Sequence, residues 1–331
     1  MSDDAFLVHD GSFRAVLGAA PALVDVVACD AHEGPVYLAL EDALYVTSLP
    51  TRERPAEIVR IALDGERFPV EGERVTRVAT TATMPNGMAA APDATLIVCE
   101  QGDLGHDACV SRVDPRTGAR SVMVDSWRGR RVNSPNDVAV GPDGAIWFTD
   151  PTYGFLQGFR PAPELGAFVY RYDPCRDVLE VVADGFDQPN GIALSPDGAT
   201  LYVGDSGAIQ APGTHFPDRP HHVEAFDVSS SRLTARRLFA VTAPGFPDGL
   251  KTDAAGRVYV SASSGVLVYS PDGRLLGEIV VPGAVNFAFG GAHGNLLFVT
   301  TDTAVRVAVL AATGPSQPSL VPLVDAIAQG V

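Results

Sequence analysis

No long stretch of the sequence repeats its apolar residues every three to four positions, so little of the chain is expected to be helical. There is no Gly-x-Ser-x-Gly elbow, which argues against a serine hydrolase, and there is neither a dinucleotide fingerprint nor a P-loop. Basic residues are scarce: 24 Lys and Arg stand against 40 Asp and Glu, a formal net charge of −16. No basic stripe is present that could displace the counterions of a nucleic acid. The one short cluster, Arg128, Arg130 and Arg131, reads as a solvated loop. The same acidity disfavours an anionic membrane and suits a protein that attracts cations. Long apolar runs are missing as well. Val16 to Val27 is too short and too interrupted to span a bilayer, and Met1-Ser2-Asp3-Asp4 begins without the apolar core of a signal peptide. The four cysteines, Cys29, Cys99, Cys109 and Cys175, form no Cys-x-x-Cys pair. They are read as reduced thiols in a cytoplasmic protein.

What the chain does contain is a repeat. Hydrophobic residues make up 46%, enough for a sizeable core, and its 33 glycines and 26 prolines are dispersed as turn signals. An apolar triplet recurs six times: Leu44-Tyr45-Val46, Leu96-Ile97-Val98, Ile146-Trp147-Phe148, Leu201-Tyr202-Val203, Val258-Tyr259-Val260 and Leu297-Phe298-Val299. The spacing is about 50 residues, the period of four-stranded propeller blades. Short apolar runs such as Val138-Ala139-Val140 and Ile192-Ala193-Leu194 lead through Pro-Asp-Gly turns into the triplets, a hairpin signal. Strand-like stretches follow, among them Ala167 to Tyr172 and Val266 to Tyr269. The expected architecture is all-β: one six-bladed β-propeller domain over residues 1–331 with no linker. An N-terminal strand within Phe13 to Val27 should close the last blade, and the tail after Thr313 should add one strand.

Eleven or twelve residues before each triplet centre stands an acid or an amide: Glu33, Asn86, Asn136, Asn190, Asp248 and Asn286. The first strand of a propeller blade lines the channel, so six equivalent positions converge near the axis. Burying two carboxylates and four carboxamides there would cost several kcal/mol each without compensation. A divalent cation would supply it. All-oxygen donors favour a hard ion, Ca²⁺ first and then Mg²⁺ or Mn²⁺, with Zn²⁺ less suited for want of His or Cys. Taken singly, Pro135-Asn136-Asp137, Pro189-Asn190-Gly191 and Pro247-Asp248-Gly249 also read as ordinary turn tripeptides.

At these positions the chain resembles the SMP-30/gluconolactonase/LRE-like family, in the pattern of its bacterial gluconolactonases. The resemblance is carried, in order, by Glu33-Gly34-Pro35, Leu96 to Glu100, Asn133 to Asp137, Trp147 to Pro151, Tyr153-Gly154, Pro189-Asn190-Gly191, Pro247-Asp248-Gly249 and Asn286 to Gly291. It implies a six-bladed propeller with a metal-containing channel and a lactone-opening hydrolase. It also implies Glu33, Asn190 and Asp248 as metal ligands, Asn136 as ligand or substrate contact, and Asp248 as the base or nucleophile. Three departures concern the substrate. Gln101-Gly102-Asp103 stands where the pattern has His-Gly-Asn, Val36-Tyr37 where many members carry Trp, and Ala208 to His222 is a long insertion.

The expected site has Asp248 as catalytic residue, Glu33, Asn136, Asn190 and Asp248 around the metal, and Asn133, Tyr153, Asn86 and Asn286 toward the substrate. The cation would polarise the lactone carbonyl while Asp248 takes a proton from water. A phosphotriesterase of the diisopropylfluorophosphatase kind is the alternative on the same site, and a non-catalytic binding propeller, with an apolar channel, is the other. The partner is a small lactone, with no nucleic acid or membrane, and the protein a monomer or small homo-oligomer. Of the histidines, His32 should pack into the core, His293 should be exposed, and His215, His221 and His222 should lie in a solvated loop.

Overall fold

The computed structural model describes residues 5–51, 54–65 and 67–315. Its strands form six antiparallel blades. Blade 1 comprises Glu33–Leu38, Ala43–Thr47, Ile58–Ala62 and Val75–Arg77, and blade 2 comprises Pro85–Ala90, Leu96–Glu100, Cys109–Val113 and Arg120–Val124. Blade 3 is built from Val138–Val140, Ile146–Asp150, Phe168–Asp173 and Val178–Ala183, and blade 4 from Pro189–Leu194, Thr200–Asp205, His222–Ser229 and Arg232–Val241. Blade 5 contains Leu250–Thr252, Val258–Ala262, Gly265–Tyr269 and Leu275–Val280; blade 6 contains Phe287–Gly290, Leu296–Thr300 and Asp302–Val309, with Ala22–Ala31 as its outer strand. Each inner strand touches the next, and that of blade 6 touches that of blade 1, so the ring is closed. Helix is confined to short turns such as Arg14–Leu17 and Tyr153–Leu156.

The apolar triplets are the second strands, and their packing explains why three apolar residues stand in a row. Side chains alternate between the faces of a strand, and a blade inside the ring is covered on both faces by its neighbours. Leu44 and Val46 pack against blade 6, whereas Tyr45 packs against blade 2. Ile146 and Phe148 face blade 2 and Trp147 faces blade 4. The same division holds at Tyr202 and Tyr259. Among the described residues this gives one apolar cluster at each of the six blade junctions.

Closure occurs as expected in kind but further along the chain. Ala22–Ala31 pairs with Asp302–Val309, from Ala22 opposite Val309 to Ala31 opposite Asp302. Gly11 to Leu17 is instead two short helical turns, which seat Phe13 fully buried against blade 5 where Gly277 leaves room for its ring. Phe6–Val8 adds an unanticipated fifth strand to blade 5, Phe6 opposite Ile279. Three residues give no usable periodicity, and Leu7 and Val8 are exposed. The strand expected after Thr313 falls mostly on residues 316–331, outside the described residues.

The polar tripeptides are not turns. Asn86 and Asn190 lie inside the inner strands Pro85–Ala90 and Pro189–Leu194. The glycine that follows is required by close approach of backbones. A Cβ on Gly87 would overlap the carbonyl oxygen of Asn136, and one on Gly191 that of Asp248. In blade 3 the corresponding residue is Asp137, whose side chain enters the channel.

Candidate active site

Hydroxyl clasps between blades set the height of the ring. Thr47 Oγ1 donates to the Asn86 carbonyl at 3.0 Å, Thr149 Oγ1 to that of Asn190 at 2.7 Å, and Thr300 Oγ1 to that of His32 at 2.7 Å. Ser206 makes the like bond to the Pro247 carbonyl, just ahead of Asp248. A second device holds the segments that enter the inner strands. Asp150, at the end of a second strand, accepts from Asn133 N at 2.9 Å and Ser134 N at 2.8 Å; Asp205 accepts from Asp187 N and Gln188 N, each at 2.9 Å. Glu100 does the same for Thr83 N at 2.7 Å.

Within this frame Glu33, Asn136, Asn190 and Asn286 are buried, and Asp248 and Asn86 partly so. Burial raises the Asp248 carboxyl well above its ordinary range, and the Glu33 charge raises it further, against His32 and a hydrogen bond from Asn190. Glu33 is raised by burial too, with Asp137 adding to the rise while His32, Asn286 and the Gly34 amide oppose it. Two carboxyl groups on blades 1 and 5 therefore sit in one another's field. The ring also has a polarity of its own. Asn286 Nδ2 donates to Glu33 Oε2 at 2.8 Å, while Asn286 Oδ1 accepts from Phe287 N at 2.8 Å. Asn86 Oδ1 is likewise engaged, by Gly87 N at 3.1 Å. Asn136 Oδ1 is different: it is buried with no hydrogen-bond partner. A buried carbonyl left unbonded costs about 1–3 kcal/mol, and a hard cation is a fitting partner for it.

Tyr153 begins the short helix after the second strand of blade 3. It is buried, and its hydroxyl makes no hydrogen bond of ordinary geometry. Burial and the Asp248 charge push its pKa far up, against Ser206 and Asn190, so the phenol stays protonated. Asn133 spends its amide nitrogen on Asp150 O at 3.3 Å and Gly166 O at 2.9 Å, which leaves Oδ1 as its free group. The structure thus brings Glu33, Asn190, Asp248, Asn286 and Tyr153 into mutual influence. Asn86 holds its register position with its side-chain oxygen taken up by the amide of its neighbour Gly87.

Two polar residues of the channel escaped the sequence reading and a third was assigned elsewhere. Asp137 accepts from Val138 N at 2.9 Å and Ile192 N at 3.3 Å. It was legible as the position where blades 1, 2, 4 and 5 carry glycine. Lys251 Nζ lies 3.4 Å from Asn286 Oδ1 and 3.8 Å from Asp137 Oδ2. His32 is not a core residue as expected. It falls between two strands, its side chain is 26% exposed, and its Nδ1 lies 2.6 Å from Asp302 Oδ1. Burial lowers its pKa, but Asp302 together with Glu33 and Asp248 outweighs that and leaves it raised. Strict alternation failed here because the chain switches from blade 6 to blade 1 at this residue. His215 and His293 are exposed and His221 and His222 partly so, and the Arg128–Arg131 segment is an exposed hairpin tip with Arg128 over the Trp127 ring at 4.5 Å.

Among the described residues no three His, Cys, Asp or Glu side chains form a metal-holding group, so any metal site here depends on the amides. No helix among the described residues is long and apolar enough to cross a membrane, and all four cysteines are free thiols.

Fold and ring together define a six-bladed propeller with a polar, carboxylate-bearing channel. The chain belongs to the SMP-30/gluconolactonase/LRE-like family, whose model matches residues 31–303. A gluconolactonase of Zymomonas mobilis is 34% identical over 233 residues, 67% of this chain, and the match spans only 62% of that enzyme. A lactonohydrolase of Aspergillus oryzae is 28% identical over 323 residues, 88% of this chain and 71% of that protein. The solved structure of a gluconolactonase from Xanthomonas campestris is 31% identical and superposes with a TM-score of 0.76, covering 93% of this chain and 96% of that one.

Proposed function

We propose that the protein is a divalent-metal-dependent lactonase that opens the ester ring of a sugar or related lactone. The observation that carries the reading is the channel acid pair Glu33 and Asp248, in which the Glu33 charge raises the Asp248 carboxyl, together with the orphaned carbonyl of Asn136 at the equivalent position of blade 3. Lactonases among the relatives support the reaction class.

Glu33, Asn136, Asn190 and Asp248 would hold the ion, and their oxygen donors suit Ca²⁺ best. When bound, it would act as a Lewis acid toward the lactone carbonyl. The chain's own groups do the rest. Asp248, in its carboxylate form, accepts a proton from the water that attacks the acyl carbon. The acyl C–O ring bond then breaks, and the ring oxygen leaves as the hydroxyl of the product acid, taking up the proton Asp248 had received. Tyr153, held neutral, donates a hydrogen bond to a substrate oxygen, and Asn133 Oδ1 accepts from a substrate hydroxyl. Asn286 keeps Glu33 oriented. The four free thiols agree with a reducing, cytoplasmic setting.

The test is a panel of sugar and aliphatic lactones, with phosphotriesters alongside, in a weakly buffered indicator assay with chelator and metal add-back. Lactone turnover should vanish with chelator and return with Ca²⁺. Purified protein that carries no stoichiometric divalent ion and turns over lactones in chelator would sink the metal-dependent reading.

A further inference from the structure

Lys251 is the sole lysine in 331 residues, and it projects from the inner strand of blade 5 into the channel. Its ammonium lies 3.8 Å from Asp137 of blade 3 and 3.4 Å from the amide oxygen of Asn286 of blade 6, with the side chain 25% exposed. Asp137 is 2% exposed. A lysine so placed in a chain that otherwise uses arginine for every cation needs a reason. Arginine would bring a wide planar fork, whereas the ammonium is a compact point charge.

Charge counting gives the cation its role. Ionised around a bound cation, Glu33, Asp137 and Asp248 would bring three negative charges to the channel, and Lys251 would return one. His32 and Asp302, 2.6 Å apart at the edge, are paired with each other and stand outside this count. The remainder is two negative charges.

We propose that Lys251 is the internal counter-cation of the channel, and that with Asp137 it sets the net charge of the site to match a divalent rather than a trivalent cation. The inference rests on the metal-site reading given above, but concerns a different property, valence selectivity. Lys251 is also a positioning residue. By donating to Asn286 Oδ1 alongside Phe287 N it helps set which end of that amide faces Glu33, leaving Nδ2 to donate to Glu33 Oε2.

The experiment measures Ca²⁺ and Tb³⁺ affinities of the whole protein by lanthanide luminescence and competition, and reads their ratio. A unit charge in the same channel, at an effective dielectric constant of about 20, should change that ratio about tenfold or more. Lys251→Met should shift it toward Tb³⁺ by that factor, Asp137→Asn should shift it toward Ca²⁺, and the double variant should return it to within about threefold of wild type. Lys251→Arg should leave the ratio in place. Asp137→Asn keeps the lysine and tests the idea even if Lys251→Met fails to fold. A ratio unmoved by Asp137→Asn, or a double variant that does not restore it, overturns the inference while leaving the metal site standing. A wild-type protein that takes up neither ion overturns both.

Discussion

Asn286 and Glu33, 253 residues apart in sequence, meet at 2.8 Å where blade 6 closes on blade 1, amide nitrogen to carboxylate oxygen. The bond is both a seam of the ring and a support for its first acid. Glu33 Oε2 also accepts from Gly34 N at 3.0 Å, so both bonds that orient this carboxyl fall on one oxygen. Asn286→Leu keeps the volume and removes the donor. We expect a loss of about 1–3 kcal/mol of stability and roughly 10–100-fold weaker Ca²⁺ binding, as for other groups that orient a metal ligand. Chemical denaturation and calorimetry check the two effects separately. Unchanged Ca²⁺ affinity would remove Glu33 from the metal site or Asn286 from its support.

Asp248→Asn separates charge from shape. The amide retains one oxygen toward the site but cannot accept the proton of water. Lactone turnover should fall by about 10²–10⁴, the usual contribution of a general base, while Ca²⁺ binding weakens but persists through Glu33, Asn136 and Asn190. The substitution should also stabilise the metal-free protein above the ordinary carboxyl range, because it removes a carboxyl whose raised pKa makes its ionised form costly in the folded state. Persistent turnover in the variant would overturn the assignment of the base.

Much of this was legible in the sequence, for a definite reason. A blade packed on both faces forces three apolar residues into each second strand, and those triplets carry the period of the fold. The acid or amide before each hairpin has a fixed register, so the ring could be counted. Local pattern could not show which amide oxygens are engaged. Asn86, Asn136 and Asn286 look alike in sequence. Only the backbone geometry shows Asn86 and Asn286 bonded to the next N–H and Asn136 unpartnered. Nor could it show His32 turning to Asp302, a pairing made by ring closure between residues 270 apart. Lys251 was hidden by its position on an ordinary strand, where the bonds that define it come from blades 3 and 6.

Ring closure also predicts an asymmetry at the N-terminus. Val26 is fully buried in the closing strand, in the apolar cluster between blades 6 and 1. Val26→Asp places a charge there without a partner and should cost more than about 3 kcal/mol. Leu7 is 42% exposed on the extra strand of blade 5, and Leu7→Asp should cost no more than about 1 kcal/mol. Urea midpoints at fixed m-value decide between them. Equal losses would mean that the short outer strand matters as much to closure as the long one.

Asp150 gives a prediction in pH. Burial pushes its carboxyl up to about 7 from 3.8, against the Asn133 and Ser134 amides and the Arg160 charge. A folded-state value above the unfolded one means the proton is held more tightly in the folded protein. The associated stability is full below about pH 4 and is lost as pH rises through 7. Between pH 5 and 8 this single group should lower wild-type stability by on the order of 2 kcal/mol. Asp150→Asn removes the titration. It also weakens the clasp on Asn133 and Ser134, so the variant starts from a lower plateau. The relevant quantity is therefore the slope, wild type minus variant, from denaturation curves taken across that range. The other buried acids titrate in both proteins and cancel in the difference. A wild-type curve running parallel to the variant's from pH 5 to 8 would mean that Asp150 stays ionised in the folded protein, with the two amides outweighing its burial.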